Sequence, residues 1–201
     1  MILITGHKGF IGSRLSEYLT DLGYEVVGLD KDITDAELGP IFQKAEFVIH
    51  LAAKSGDPDF KLSDFGVNVL GTYNIVKLCE KYGCKLIYTG SISSTSDYGI
   101  SKFLAEKLVE RHTKYRKLKA VTIKLCAIYD QSLQSKTGKS IKDDPKYPVY
   151  SREKLIKDIE DLLSEDFKKY KTYYTYNRFY YFMTTKLRGL KKRLYFNPIK
   201  K

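Results

Sequence analysis

No run of about 18 apolar residues occurs in the 201-residue chain, so no membrane-spanning helix is expected. The first residues, "MILITGHKGF", lack the basic stretch of a secretory signal and turn glycine-rich at once, so no signal peptide is expected either. Cysteine is scarce. Cys79, Cys84 and Cys126 are odd in number and lack metal-ligand spacing, so they read as reduced, mostly buried thiols of a cytosolic protein, and no metal site is expected. No internal repeat stands out. Acid is absent from the last 35 residues: 167–201 hold 11 Lys/Arg and no Asp or Glu, whereas 1–166 hold 24 of each sign. The whole formal charge of +11 therefore sits on a segment that also carries seven tyrosines and four phenylalanines. Composition divides the chain into a neutral core and a basic, aromatic tail.

The core has enough apolar residues, 43 % of the whole chain, to fold as a globular protein. "MILIT", "YEVVGLD", "EFVIHLAA", "CKLIYTG" and "LKAVTIKLCAIY" read as five strands. Between them lie helical patterns: Ile11, Leu15, Tyr18, Leu19 and Leu22 in the first, a long one from about Asp64 to Tyr82, and a third from Asp97 to Tyr115. Strands alternating with helices predict an α/β protein with a doubly wound parallel sheet. Residues 130–150 are polar and read as a loop. "SREKLIKDIEDLLSEDFKKY" predicts an amphipathic helix with a serine cap and an apolar stripe of Leu155, Ile156, Ile159, Leu162 and Leu163.

The chemistry-bearing stretch is "ITGHKGFIG", set between the first strand and the first helix. Gly6 permits a tight turn, Gly9 lets backbone N–H groups approach a pyrophosphate, and Gly12 lets helix pack on strand; Phe10 and Ile11 complete the candidate cradle. The helix N-terminus adds positive potential and free donors. Glycines kept for steric reasons alone are the bland alternative. Asp30 ends the second strand, where a carboxylate accepts hydrogen bonds from an adenosine ribose and repels a 2′-phosphate, favouring NAD over NADP. Lys31 beside it weakens that preference. Asp32 and Ile33 are placed to contact the adenine edge, and a loop of solvated charges is the alternative.

"SISSTSDYGISK" puts serines ahead of Tyr98 and Lys102 four residues later. The spacing places both side chains on one helix face. A phenol with a pKa near 10 is a poor base at neutral pH, and a nearby ammonium favours phenolate. An exposed helix start is the alternative for the pair, and capping is the alternative for Ser91.

In order along residues 1–130, "TGHKGFIG", "LDKDITD", "FVIHLAA", "NVLGTYNIVKLC", "KLIYTGS", "YGISKFLAEKLV" and "TIKLCAIYD" together resemble the extended short-chain dehydrogenase/reductase superfamily. The branch they resemble is that of NAD-dependent epimerases and dehydratases of nucleotide sugars. The resemblance implies a Rossmann-like domain over 1–150, with Leu51, Ala52, Ala53 and Asn68 lining the cofactor cleft. It implies Tyr98 as general acid/base, Lys102 as holder of the nicotinamide ribose, and Ser91 as partner of the substrate oxygen, with Ser93 and Ser94 as competitors. It implies NAD as cofactor, with NADP less favoured, and a nucleotide sugar as substrate. The link from Asp30 to "FVIHLAA" is short, so a reduced strand number is expected. The short serine-to-tyrosine spacing also resembles a compact subgroup that includes capsular-polysaccharide nucleotide-sugar reductases, which points to surface-polysaccharide biosynthesis.

Residues 151–201 are expected to form a helical, basic, aromatic-rich tail in place of a full substrate lobe. Met183, Leu187, Leu190 and Leu194 repeat at helical spacing among cations. That stretch suits a helix docked on the sheet or an anionic membrane surface, and nucleic acid less well. The expected location is cytoplasmic, with the tail able to reach the inner face of the membrane, and an oligomer is compatible with the sequence. The rival to the enzyme reading is a non-catalytic dinucleotide-binding module, or a truncated remnant of such an enzyme.

Overall fold

The computed structural model describes residues 1–55, 59–92, 96–129 and 149–175. In chain order these form β1 (Ile2–Thr5), α1 (Gly12–Asp21), β2 (Val26–Leu29), and a 3-10 turn (Ala36–Leu38) leading into α2 (Gly39–Phe42). Then come β3 (Phe47–His50), α3 (Leu62–Gly66), a π-helical turn (Val67–Gly71) leading into α4 (Thr72–Tyr82), β4 (Lys85–Ser91) and α5 (Asp97–Tyr115). The chain continues through β5 (Lys119–Leu125), β6 (Ala127–Tyr129), β7 (Val149–Ser151), α6 (Arg152–Leu163) and β8 (Lys171–Tyr174).

Six strands form one parallel sheet in the order β2-β1-β3-β4-β5-β8, and β6 and β7 form a separate parallel pair. Parallel neighbours need crossovers, and the helices that supply them bury both faces of the sheet. On one face Ile2, Ile4, Ile49, Ile87, Val121 and Ile123 pack with Leu15 and Leu19 of α1 and with Leu155, Ile156, Ile159 and Leu162 of α6. On the other, Leu3, Val48, Leu86 and Ala120 pack with Phe42 of α2, Ile75 and Val76 of α4, and Ala105 and Val109 of α5. The fold is the Rossmann-like α/β sandwich expected. The connection from β2 to β3 holds only the 3-10 turn and α2, so β2 is an edge strand, and the strand order reverses between β1 and β3. A ligand crevice belongs at that reversal, outside the carboxyl ends of the strands.

The stretch expected to be a helical tail is partly strand. Its first helix starts as expected, Ser151 capping α6 by accepting from the Lys154 N–H at 3.0 Å, but it ends at Leu163 rather than running on to residue 170. Residues 171–174, however, pair parallel with β5, Thr172 opposite Thr122. The physical reason lies in "KTYY", a β-branched and aromatic run that meets an edge still in need of partners. The Tyr170 hydroxyl donates to Thr122 Oγ1 at 3.0 Å, and Phe167 is buried edge-on against Phe47. The change of charge at 167 is thus no structural boundary. The second amphipathic stretch, with Met183 to Leu194, lies outside the described residues. Phe167→Ala is expected to cost about 3–5 kcal/mol of stability in urea denaturation; an unshifted midpoint would show that this segment contributes nothing to the core.

The long helical pattern read from about Asp64 to Tyr82 is a continuous helical run in which α3 passes through the π turn into α4. Thr72 bonds back to the Asn68 carbonyl at 2.6 Å. Gly71 lies so close to Ile33 that a Cβ would stand 2.6 Å from its Cδ1. Single π turns within helices recur at functional sites. Among the described residues no helix is long and apolar enough to cross a membrane. Cys79, Cys84 and Cys126 are free and buried.

Candidate active site

At the end of β1 the chain turns through Gly6, which has φ +70° and on which a Cβ would stand 2.7 Å from the Ala52 nitrogen. The turn therefore lies directly against the segment that leaves β3. Gly9 N–H donates to the Gly6 carbonyl at 2.9 Å, and a Cβ on Gly12 would stand 2.2 Å from that same oxygen. Helix α1 then opens at Ile11 with no side-chain cap and no acid in its first turn. An uncapped helix N-terminus behind a glycine turn fits a pyrophosphate. Phe10 is exposed, while Ile11 packs towards the α1 core. Arg152, the first residue of α6, lies with its guanidinium carbon 4.9 Å from the Phe10 ring centre, and its Nη1 donates to the Phe10 carbonyl at 3.3 Å. No sequence motif marks Arg152; only the Ser151 cap beside it fixes where the arginine falls.

Asp30 follows β2, exposed, and forms an ion pair with Lys8 of the glycine turn. The Lys8 ammonium holds its carboxyl below the usual range. Lys31 is exposed. Asp32 accepts from the Thr34 N–H at 2.9 Å and the Thr34 hydroxyl at 2.8 Å. Ile33 corrects the sequence reading: its side chain is 5 % exposed and packs in the core under Gly71, while Asn74 Nδ2 donates to its carbonyl at 3.0 Å. The short link from β2 folds straight back onto α4, which turns this side chain into the core.

Leu51, Ala52 and Ala53 line the segment after β3, half-buried as a cleft wall requires. A buried polar chain holds that wall in place. The Ala52 N–H donates to Thr5 Oγ1 at 3.1 Å. The Thr72 hydroxyl donates to the Asn68 carbonyl, so Thr72 Oγ1 must accept from His50 Nε2–H, at 3.0 Å. His50 Nδ1 then accepts from the Thr5 hydroxyl at 2.6 Å. Burial, and then the charge of Lys102, push this imidazole down to about 3, so it is neutral. Asn68 spends its whole amide nearby: Oδ1 accepts from Lys54 N–H at 2.8 Å, and Nδ2 donates to the Lys54 carbonyl and to Ser101 Oγ, each at 2.9 Å. With Asn68 1 % exposed, its side chain fastens the cleft wall to α5. His50 and Ser101 were missed by the sequence reading, since their roles depend on contacts 22 to 45 residues away along the chain.

Ser96 caps α5 by accepting from the Gly99 N–H at 3.1 Å. Tyr98 follows on the first turn, half-buried, its ring edge-on to Phe60 at 6.3 Å. The Ser101 hydroxyl donates to the Tyr98 carbonyl at 2.7 Å. Lys102 lies one turn further on, 3 % exposed, its Nζ 4.6 Å from the centre of the Tyr88 ring. Burial pushes its ammonium down to about 7, opposed by Glu106. Burial likewise pushes the Tyr98 phenol above its ordinary value. In the protein alone, desolvation favours the neutral form of both groups. Ser91 is the last residue of β4, half-buried and in register with Leu125 of β5. Its competitors Ser93 and Ser94 lie outside the described residues.

A model of the NAD dependent epimerase/dehydratase family matches residues 2–141. Over 173 aligned residues the chain is 27 % identical to a Methanocaldococcus jannaschii protein provisionally assigned as a UDP-glucose 4-epimerase, covering 65 % of this chain and 57 % of that one. Over 111 residues it is 31 % identical to the Pseudomonas aeruginosa UDP-2-acetamido-2,6-beta-L-arabino-hexul-4-ose reductase, covering 53 % of this chain and 30 % of the reductase. The chain thus spans 30 % to 57 % of the length of these relatives. Among solved structures, MoeE5 in complex with UDP-glucose and NAD superposes with a TM-score of 0.76 at 18 % identity, over 94 % of this chain and 82 % of the other. A dTDP-glucose 4,6-dehydratase of Streptomyces venezuelae superposes with a TM-score of 0.68 at 15 % identity, over 87 % and 74 %. These similarities establish the shared fold.

Proposed function

Because the chain belongs to the NAD dependent epimerase/dehydratase family, we propose that it binds NAD across the carboxyl edge of the sheet and works there as an epimerase, dehydratase or reductase of a nucleotide sugar. The observation that carries this reading is the fastening of Tyr98 and Lys102, through Ser101 and Asn68, to the same wall that abuts the Gly6 turn. One rigid unit thereby spans a pyrophosphate cradle and a proton-transfer pair.

Bound NAD supplies the hydride acceptor and a positive ring. The Gly6–Gly12 turn and the α1 N-terminus hold the pyrophosphate, with Arg152 bracing the turn at Phe10. Asp30 accepts from the adenosine ribose once Lys8 swings aside. Lys102 donates to the nicotinamide ribose. Tyr98 takes the proton of the substrate hydroxyl, and Ser91 donates to the oxygen left behind. A positive ring beside Tyr98 offsets the desolvation that otherwise keeps the phenol neutral. A place in surface-polysaccharide synthesis is part of this proposal and is supported by the short spacing from Ser91 to Tyr98, which resembles that of capsular-polysaccharide nucleotide-sugar reductases. A non-catalytic dinucleotide-binding module is the second reading, supported by the upward push on Tyr98.

The test is calorimetric titration with NAD, followed by a panel of UDP- and dTDP-sugars assayed for cofactor reduction and for altered sugar. Dinucleotide binding with turnover supports the enzyme. Binding without turnover on any sugar supports the module, and no binding overturns both.

Cofactor choice gives a sharper result. Asp30 repels a 2′-phosphate, while Lys8 and Lys31 attract one. Asp30→Ala is expected to narrow the preference for NAD over NADP by about tenfold, equivalent to about 1.4 kcal/mol, and Lys8→Ala is expected to widen it. A wild-type preference for NADP would show that the two lysines outweigh the carboxylate.

A further inference from the structure

Glu106 lies one helical turn beyond Lys102 on α5 and is only 5 % exposed. A buried carboxylate is costly unless it is paired. Its Oε2 stands 2.9 Å from Lys124 Nζ of β5, yet no well-directed hydrogen bond reaches that oxygen. Gly90 of β4 makes room for it: a Cβ there would stand 3.4 Å from Glu106 Oε2 and 3.7 Å from Cε1 of Tyr88. Carboxylate and Tyr88 ring therefore border the same small space, and the Lys102 ammonium sits 4.6 Å from the centre of that ring.

We propose that Glu106 is a positioning residue for Lys102: shared with Lys124 of β5, its carboxylate is the counter-charge that opposes the burial of the Lys102 side chain and retains part of it as ammonium at neutral pH. The proposal rests on reading Lys102 as the partner of Tyr98, because only a charged lysine favours a phenolate.

The groups around Lys102 leave this role to Glu106. From β3, His50 is neutral and feels Lys102 as a repelling charge. From β4, Tyr88 is held protonated by burial, and its hydroxyl donates to the Lys102 carbonyl at 3.2 Å. Tyr98 on α5 and Tyr170 ahead of β8 are pushed up by burial and stay neutral. Lys124 is a second cation competing for the same carboxylate. Among these groups Glu106 is the one anion, and it acts against the burial that pulls Lys102 down to about 7.

The experiment is a pH titration of the lysine ¹³Cε resonances by NMR on the free, folded protein. The Lys102 signal is identified by its loss in Lys102→Arg. The wild-type midpoint is expected near 7. Glu106→Gln is expected to lower it by about one pH unit, the size of effect a close opposite charge produces, and Glu106→Asp to restore most of the difference. Lys124→Met, which removes a repelling charge and frees the carboxylate, is expected to raise it. An unmoved midpoint in folded Glu106→Gln overturns the proposal. If that variant does not fold, an unmoved or lowered midpoint in Lys124→Met overturns it instead. Since neither NAD nor substrate takes part, a failure here is distinct from a failure to bind NAD.

Discussion

Tyr98→Phe is expected to lower turnover of any nucleotide sugar the protein accepts by about 10²–10⁴-fold, the usual contribution of a positioned general acid or base, and to leave NAD binding intact. The separation of the two effects follows from the geometry. The Tyr98 ring packs edge-on against Phe60, a contact that phenylalanine keeps. Its backbone carbonyl, not its hydroxyl, receives the Ser101 bond that ties α5 to the cleft wall. Removing the hydroxyl therefore deletes the proton carrier without loosening the wall. Stopped-flow or steady-state kinetics beside calorimetry on the same preparation decides the matter. Full activity in the variant would assign the proton to another group, with Ser91 the first candidate.

Gly12→Val and Gly9→Val are both expected to abolish NAD binding, for different reasons. At Gly12 an added Cβ would stand 2.2 Å from the Gly6 carbonyl oxygen and 2.7 Å from the His7 Cα. Both are backbone atoms that cannot swing away, so the turn must open and α1 must lift from the sheet. Overpacking of this kind costs about 1–3 kcal/mol or more, and the variant is expected to melt earlier as well as to lose the cofactor. At Gly9 a Cβ would meet only the Gly6 oxygen, at 3.1 Å, and the residue is exposed. Gly9→Val is therefore expected to match the wild-type melting temperature while its side chain occupies the phosphate approach. Calorimetry with thermal melts separates the two cases. A Gly9→Val protein that binds NAD as well as wild type would place the pyrophosphate elsewhere.

Features encoded by local periodicity were legible in the sequence: the apolar runs of β1 to β5, the glycine spacing ahead of α1, the α6 stripe with its serine cap, and the Tyr98–Lys102 interval. Features that arise from contact between distant segments were not. Ile33 sits in a motif that suggests an adenine contact, but Gly71, brought in by α4, leaves exactly the space its side chain needs in the core. "KTYY" lies in a run whose charge suggests a surface, yet the unpaired edge of β5 makes it a strand. Arg152 lies in no motif, and His50 and Glu106, though inside "FVIHLAA" and "YGISKFLAEKLV", are given no role by them. Each becomes informative only once the chain has folded and shown what it touches.

The place of α6 and β8 at the far end of the described chain has a consequence for the order of synthesis. Strands β1 to β5, with α1, α2, α4 and α5, emerge from the ribosome first, and one face of their sheet is already covered. The other face, with Ile87, Val121 and Ile123, waits for Leu155, Ile156, Ile159 and Leu162 of α6. The β5 edge waits for Lys171–Tyr174, 50 residues after the β5 residues they pair with. Closing so long a loop is slow relative to local steps. A nascent chain halted before residue 152 therefore carries an apolar face that α1 covers only in part and an open strand edge, the two features that recruit chaperones or drive aggregation. In the finished protein the same late-docking elements are expected to be the first to open, with β8 amides exchanging before those of β1, β3 and β4.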